Sequence, residues 1–168
     1  MGGECTGKTT LAHSLASELE AEVVPEHLRA WVTEHGHAPL AQDQYAIWEA
    51  QRLAEWGMAT HGSIVSDPAA MMTGVYSRLY FEENSLLDEA MTDLPWYSLL
   101  VWCDRDITWV PDGAQRDGPE FRDAAHGIIE EFVIPQAERV NLPWLLASGT
   151  NDQRLEAILA ELRRGTPH

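Results

Sequence analysis

The stretch Gly2–Thr10, GGECTGKTT, decides the fold. It holds the pattern G-x-x-x-x-G-K-[ST] from Gly2 to Thr9, and its Lys8 is the only lysine in 168 residues, the ten other cationic side chains being arginine. A chain built otherwise with arginine uses lysine where a slim point charge is needed beside a phosphate. Gly2, Gly3 and Gly7 let the backbone curl so that successive N–H groups of Gly2, Gly3, Glu4, Cys5, Thr6, Gly7, Lys8, Thr9 and Thr10 converge on phosphate oxygens. The helix that follows adds its positive end, and the recurrence of Thr10, Leu11, Leu15, Ala16 and Leu19 predicts that helix. In such a loop the lysine reaches the β and γ phosphates of ATP, and the Thr9 hydroxyl is placed to ligate Mg2+.

A phosphate loop follows a buried strand, usually in the middle of its sheet, yet only Met1 precedes Gly2. The sequence therefore predicts a slot with unpaired backbone groups, and a true start upstream or a shortened chain. Elsewhere short apolar stretches alternate with helical patterns, the signature of a parallel sheet with crossover helices. Strands are expected at 21–24, 63–66, 97–103 and 142–147, and helices at 26–34, 39–60, 72–81, 85–91, 120–139 and 150–164. The expected fold class is α/β, a three-layer phosphate-loop NTPase domain with a parallel sheet and its first strand missing, spanning 1–168 as one unit.

The formal charge of −16 is spread along the chain. Such a surface repels nucleic acid and anionic membrane, so phosphate must be captured locally and the expected partner is a small molecule. No apolar run or leader marks a span or a signal, which leaves a cytoplasmic location as the expectation. Cys5 and Cys103 are too few for a disulfide framework. His35 and His37, two residues apart in EHGHAP, read as a solvated loop in preference to a metal site.

In open parallel sheets ligands sit beyond the carboxyl ends of the strands. That rule selects Glu26, Asp67, Asp104 with Arg105, and Ser148 with Gly149. Asp67 closes the strand IVSD, 58 residues after Thr9, and is the candidate acid for Mg2+. Glu26, with Arg29 three residues on, is the candidate to take a proton from a substrate hydroxyl; the reverse assignment of Glu26 and Asp67 stays open. Arg105 and Arg116 bracket DITWVPDGAQRDG, a loop able to close over transferring phosphate, with Trp109 against substrate. Trp31, Tyr45, Trp48 and above all Gln51 are candidates for the acceptor pocket, since aromatics stack on a heterocycle and a carboxamide can both donate and accept.

The segments GGECTGKTTLA, VPEHLR, IVSD and WCDRDITWVPDGAQRDG together resemble the kinase domain of the bifunctional nicotinamide-nucleotide adenylyltransferase and ribosylnicotinamide kinase, one of the small AAA-type ATP-binding domains of the phosphate-loop superfamily. The resemblance runs from Met1 almost to the carboxyl end. It implies ATP-dependent transfer to the 5′-hydroxyl of a nucleoside, nicotinamide riboside first, with Lys8 and Thr9 at ATP and Mg2+, Glu26 or Asp67 as acids near the acceptor, and Arg116 in a lid. The adenylyltransferase signature HxGH does not occur, and Ala69 stands where that family often has a second acid. The alternative expectation is a regulatory ATPase or switch without a small acceptor.

Overall fold

A computed structural model of the chain describes residues 1–110 and 118–165. The order of elements is α1 (Lys8–Leu19), β1 (Glu22–Pro25), α2 (His27–His35), α3 (Gln44–Ala59), β2 (Ile64–Asp67), α4 (Met71–Phe81), α5 (Ser85–Ala90), β3 (Leu100–Cys103), α6 (Pro119–Ile128), α7 (Ile134–Arg139), β4 (Trp144–Ala147) and α8 (Asn151–Gly165). All of the expected strands and helices form, in the expected order.

Their ends move for local reasons. The third strand begins at Leu100 and not at Tyr97, because its partner β4 begins only after Pro143, which has no N–H for a ladder. Leu100 N–H still donates to the Pro143 carbonyl at 2.9 Å, closing the first rung. The helix expected from residue 39 starts at Gln44, after a 3-10 turn at Ala41–Asp43 in which the Asp43 carboxylate accepts the Leu40 N–H at 2.8 Å. The long helix around residues 120–139 passes through one π turn at Ile129–Val133. Pro135 stands two residues after it, and a residue without an N–H cannot continue the ordinary ladder.

The sheet is in two halves. β1 pairs with β2 in parallel, with Pro25 opposite Asp67, and β3 pairs with β4 in parallel, with Cys103 opposite Ala147. Alternation along β3 sends Leu100 and Trp102 into a core built by α4, α5, α6 and α7, whereas Val101 and Cys103 face a second core formed with Leu11, Leu15 and Ile158 of α1 and α8. The strands are thus covered by helices on both faces, three layers in all.

Between β2 and β3 lies the slot that the sequence predicted, a cavity of about 550 Å³ walled by Ser63–Asp67 on one side and by Ser98–Val101 with Cys103 on the other. The slot opens to solvent, and Ser63, Ser66, Asp67 and Glu55 give its lining polar groups among the apolar ones.

α4 packs closely against α5 at Gly74. A methyl on Gly74 would stand 2.8 Å from the Leu87 Cα and 3.2 Å from its nitrogen, both backbone atoms that cannot step aside. Gly74→Ala is therefore expected to destabilise the chain by about 1–3 kcal/mol. In urea unfolding this will appear as a lower midpoint at unchanged slope.

Candidate functional site

The phosphate loop is anchored on both sides. Met1 donates its amine to the Val101 carbonyl at 2.7 Å and accepts the Cys103 N–H at 2.9 Å, so the loop leaves from the edge of β3. Gly7 then takes a left-handed conformation (φ 79°) as the cap of α1, which a side chain would strain, and no side chain caps the first turn. The free N–H groups of that turn face outward with the positive end of the helix. Inside the loop the Thr6 hydroxyl donates to the Gly3 carbonyl at 2.9 Å and Lys8 Nζ donates to the same oxygen at 2.6 Å. Burial lowers the Lys8 pKa, against the upward pull of Glu26, Cys103, Asp67 and Glu4.

Gly3 is required by a neighbour and not by its own dihedrals. A Cβ there would lie 3.0 Å from the Arg122 Cα and carbonyl oxygen, because the first turns of α6 rest directly on the loop. Arg122 in turn donates to the Ile107 carbonyl at 2.9 Å, tying α6 to the segment that leaves β3. Cys5, half-buried at φ 53°, reaches the Thr108 carbonyl with its thiol at 3.7 Å.

The two expected carboxylates come together. Glu26 follows Pro25, which is opposite Asp67 in the ladder, so the ends of β1 and β2 deliver both acids to one place. A cleft of about 620 Å³ is lined by Thr9, His13, Glu26, Arg29, Thr33 and Asp67 among others. Desolvation raises the Glu26 pKa, although Lys8 and Arg29 pull it down; Arg29 lies 3.5 Å from its carboxylate and is mostly exposed. Thr9 is exposed at the cleft and Asp67 forms its wall. A hydroxyl and a carboxylate are oxygen donors of the hard kind that suits Mg2+. The Tyr76 phenol, packed against the core, has its pKa raised strongly by burial and further by the charges of Glu26, Glu4 and Asp67.

Gln51 is buried beneath this cleft, and both ends of its amide are engaged. Its oxygen accepts the His27 N–H at 2.7 Å and its nitrogen donates to the Pro68 carbonyl at 3.3 Å. It therefore ties the residue after Glu26 to the residue after Asp67. One helical turn on, buried Glu55 accepts the Ala70 N–H at 2.8 Å and the Tyr97 hydroxyl at 2.7 Å. Desolvation raises its pKa, opposed by those hydrogen bonds. Of the aromatic candidates, Trp48 is buried, Tyr45 is half exposed, and Trp31 stacks on His35 at 4.0 Å on the outer side of α2.

At the far end of the loop, fully buried Arg154 donates to the Thr6 carbonyl at 2.6 Å and the Gly149 carbonyl at 3.1 Å, and pairs with Asp106. Asp106 also accepts the Gly149 N–H. This one guanidinium binds the phosphate loop to the segments leaving β3 and β4. Arg105 is half exposed and pairs with Asp123 of α6 at 3.2 Å, and Trp109 is half-buried with an indole N–H that has no hydrogen-bond partner among the described residues. Arg116 lies outside the described residues.

Arg154, Arg122, Tyr76 and Glu55 were not read from the sequence as site residues. A signal existed for Arg154, which stands four residues before Ile158 and so on the buried face of α8. Nothing in the sequence marks Arg122, since it is a backbone approach that places it.

Residues 1–154 match the model of a family described as an AAA domain. No curated protein matches the chain. Among solved structures the chain is similar to deoxyadenosine kinase from M. mycoides with bound dATP, with a TM-score of 0.64 and 11% identity over 97% of this chain and 96% of that one. At that identity the likeness is one of fold alone, a mixed α/β arrangement with parallel strands and flanking helices.

The Gln51 clamp makes a direct prediction. Gln51→Leu leaves a buried backbone donor and acceptor unpaired, each costing about 1–3 kcal/mol. Denaturant unfolding is expected to show a loss on the order of 2 kcal/mol or more, whereas Tyr45→Leu, on the exposed face of the same helix, will stay within about 0.5 kcal/mol of the parent.

Proposed function

We propose that this chain, which belongs to the AAA-domain family, is an ATP-dependent small-molecule kinase that transfers the γ-phosphate of ATP to a hydroxyl of a nucleoside-like acceptor. The observation that carries this reading is the single cleft joining Thr9, Glu26, Arg29 and Asp67 beside the phosphate loop. A site that only exchanged nucleotide would need the loop and a metal ligand. A second, half-buried carboxylate with a raised pKa, at the wall of an open cleft, is what an acceptor hydroxyl requires.

In this reading Lys8 and the N–H groups from Gly2 to Thr10 bind the phosphates, and Thr9 with Asp67 would hold Mg2+. When bound, that ion supplies charge neutralisation at the phosphate oxygens. Glu26 accepts the proton of the acceptor hydroxyl as the new O–P bond forms and the bond to the ADP oxygen breaks. Arg29 orients the acceptor, and Arg105, Arg116 and Trp109 close over the transferring group. Gln51 serves the acceptor indirectly, by holding the floor on which Glu26 and Asp67 stand. The segment Ser148–Asn151, held by Arg154 and Asp106, is the proposed seat of adenine. Catalysis is then mostly positioning and charge stabilisation. Nicotinamide riboside is the first acceptor to test, because the run DITWVPDGAQRDG is what the resemblance to ribosylnicotinamide kinases rests on. The whole chain acts as one cytoplasmic domain with a small-molecule partner and neither nucleic acid nor membrane.

Acceptor-dependent ADP release tests this reading, with nicotinamide riboside compared with the common nucleosides in the parent and in Lys8→Ala. Stimulation by one acceptor, lost in Lys8→Ala, is expected. Release that no acceptor accelerates would replace the kinase with a regulatory ATPase or switch.

The pH dependence has a definite sign. A raised Glu26 pKa keeps the carboxyl protonated, and so unable to accept a proton, at pH values where an ordinary glutamate is already ionised. The acid limb of kcat/KM should therefore lie above the usual glutamate value of about 4.3. Glu26→Gln is expected to remove that limb and lower kcat by about 10²–10⁴-fold, with ATP affinity, measured by nucleotide binding, largely kept.

A further inference from the structure

Glu55 is the buried acid that the proposed chemistry leaves unused. It projects from the core face of α3 at 3% exposure, where an apolar side chain would pack without the cost of desolvating a carboxylate. Arg52, the only arginine on α3, does not offset that cost, because it pairs with Asp93 at 2.6 Å and lies over the Trp56 ring. Hydrogen-bond donors hold the carboxylate instead.

Its two oxygens serve different parts of the molecule. Oε1 accepts the Ala70 N–H at 2.8 Å, on the turn that leaves β2, and Oε2 accepts the Tyr97 hydroxyl at 2.7 Å, on the segment that enters β3. The Ser66 hydroxyl and the Gln51 amide complete the shell. Ser66 and Ala70 stand on either side of Asp67, so the first grip falls on the strand end that carries that acid. Tyr97 stands just before β3, the strand that anchors Met1 and with it the phosphate loop. Every partner donates, so both oxygens must stay acceptors for both grips to hold.

We propose that Glu55 is a positioning residue of the phosphate-transfer site: by bridging Ala70 and Tyr97 it fixes Asp67 relative to the phosphate loop, in the place from which Asp67 would meet the metal ion of a bound nucleotide. The inference rests on the proposed assignment of Thr9 and Asp67 to Mg2+, and not on the identity of the acceptor. An amide cannot replace the carboxylate here. Glu55→Gln turns one acceptor oxygen into an NH2 group facing another donor, so one grip opens while size and shape are kept. Tyr97→Phe opens the second grip alone and leaves the first in place.

The test is binding of a non-hydrolysable ATP analogue, measured by calorimetry as Mg2+ is varied and again with EDTA in place of Mg2+. The parent, Glu55→Gln, Tyr97→Phe and Asp67→Asn are compared, with thermal melting of each in parallel. Mg2+ should tighten binding in the parent, and Asp67→Asn should lose most of that gain. Glu55→Gln is expected to raise the Mg2+ concentration for half-maximal tightening by at least about tenfold, and Tyr97→Phe by about threefold, with metal-free binding kept in both. A lower melting point with the parent's Mg2+ dependence would make the bridge a stabilising contact only and overturn the proposal. So would equal weakening with and without Mg2+, because the effect would then fall on the loop and not on Asp67. If Glu55→Gln does not fold, Tyr97→Phe decides between these outcomes. Parent binding that Mg2+ does not change would overturn the metal assignment and this proposal with it, whereas ADP release that no acceptor stimulates would bear on the kinase reading alone.

Discussion

Everything at the site depends on what holds the carbonyl oxygens of the phosphate loop. For its N–H groups to converge on an anion, the opposing C=O groups must be turned away and satisfied elsewhere. The chain does this with cations and neighbours in place of a ladder. The Met1 carbonyl goes to the Cys103 N–H, the Gly3 carbonyl to the Thr6 hydroxyl and Lys8, and the Thr6 carbonyl to Arg154. Arg154 is the costliest of these, a guanidinium with almost no exposure, and it is tolerable only because Asp106 and two carbonyls surround it. The same guanidinium then sets the position of the phosphate loop relative to the segments leaving β3 and β4, so a binding requirement of the loop becomes an architectural one.

A net charge of −16 makes this local arrangement necessary. The mean field repels ATP, and Glu26 and Asp67 add to it at the cleft. Attraction must come from Lys8, the uncapped end of α1 and a few arginines, over distances shorter than the screening length. The acids pay part of their own cost through α3, whose buried Gln51 and Glu55 reach the backbone just beyond β1 and β2. Two polar residues one turn apart on the core face of a helix are unusual, and here they replace the loop–loop hydrogen bonds that strand ends otherwise lack.

Much of this was legible in the sequence where a residue type has one physical use. GGECTGKTT, the strand ends at Glu26 and Asp67, and the empty place before Gly2 all correspond to structure. The burial of α3 does not follow its large apolar residues: Tyr45 and Leu53 are exposed, and the buried residues are Gln44, Ile47, Trp48, Gln51 and Glu55. Hydrophobicity alone could not find a face half made of polar groups whose partners are backbone atoms some distance along the chain. The role of Gly3 was hidden for a similar reason: a phosphate loop explains a glycine there by itself, while the packing of α6 against it is a contact across nearly the whole chain.

The two sides of the sheet place different demands on the site. β1 and β2 carry the acids, β3 and β4 carry the anchors of the loop, and the proposed transfer would need the distance between the pairs to stay constant. At present α1 bridges them from one face and the α3 network from the other. Side-chain contacts of that kind permit small sliding of one half against the other, whereas a ladder of backbone hydrogen bonds across the gap would not. The phosphate loop leaves from that gap, at Met1. Rigidity in the middle of the sheet is therefore transmitted directly to the N–H groups that face the phosphate, and the geometry of the site and the continuity of the sheet become a single problem.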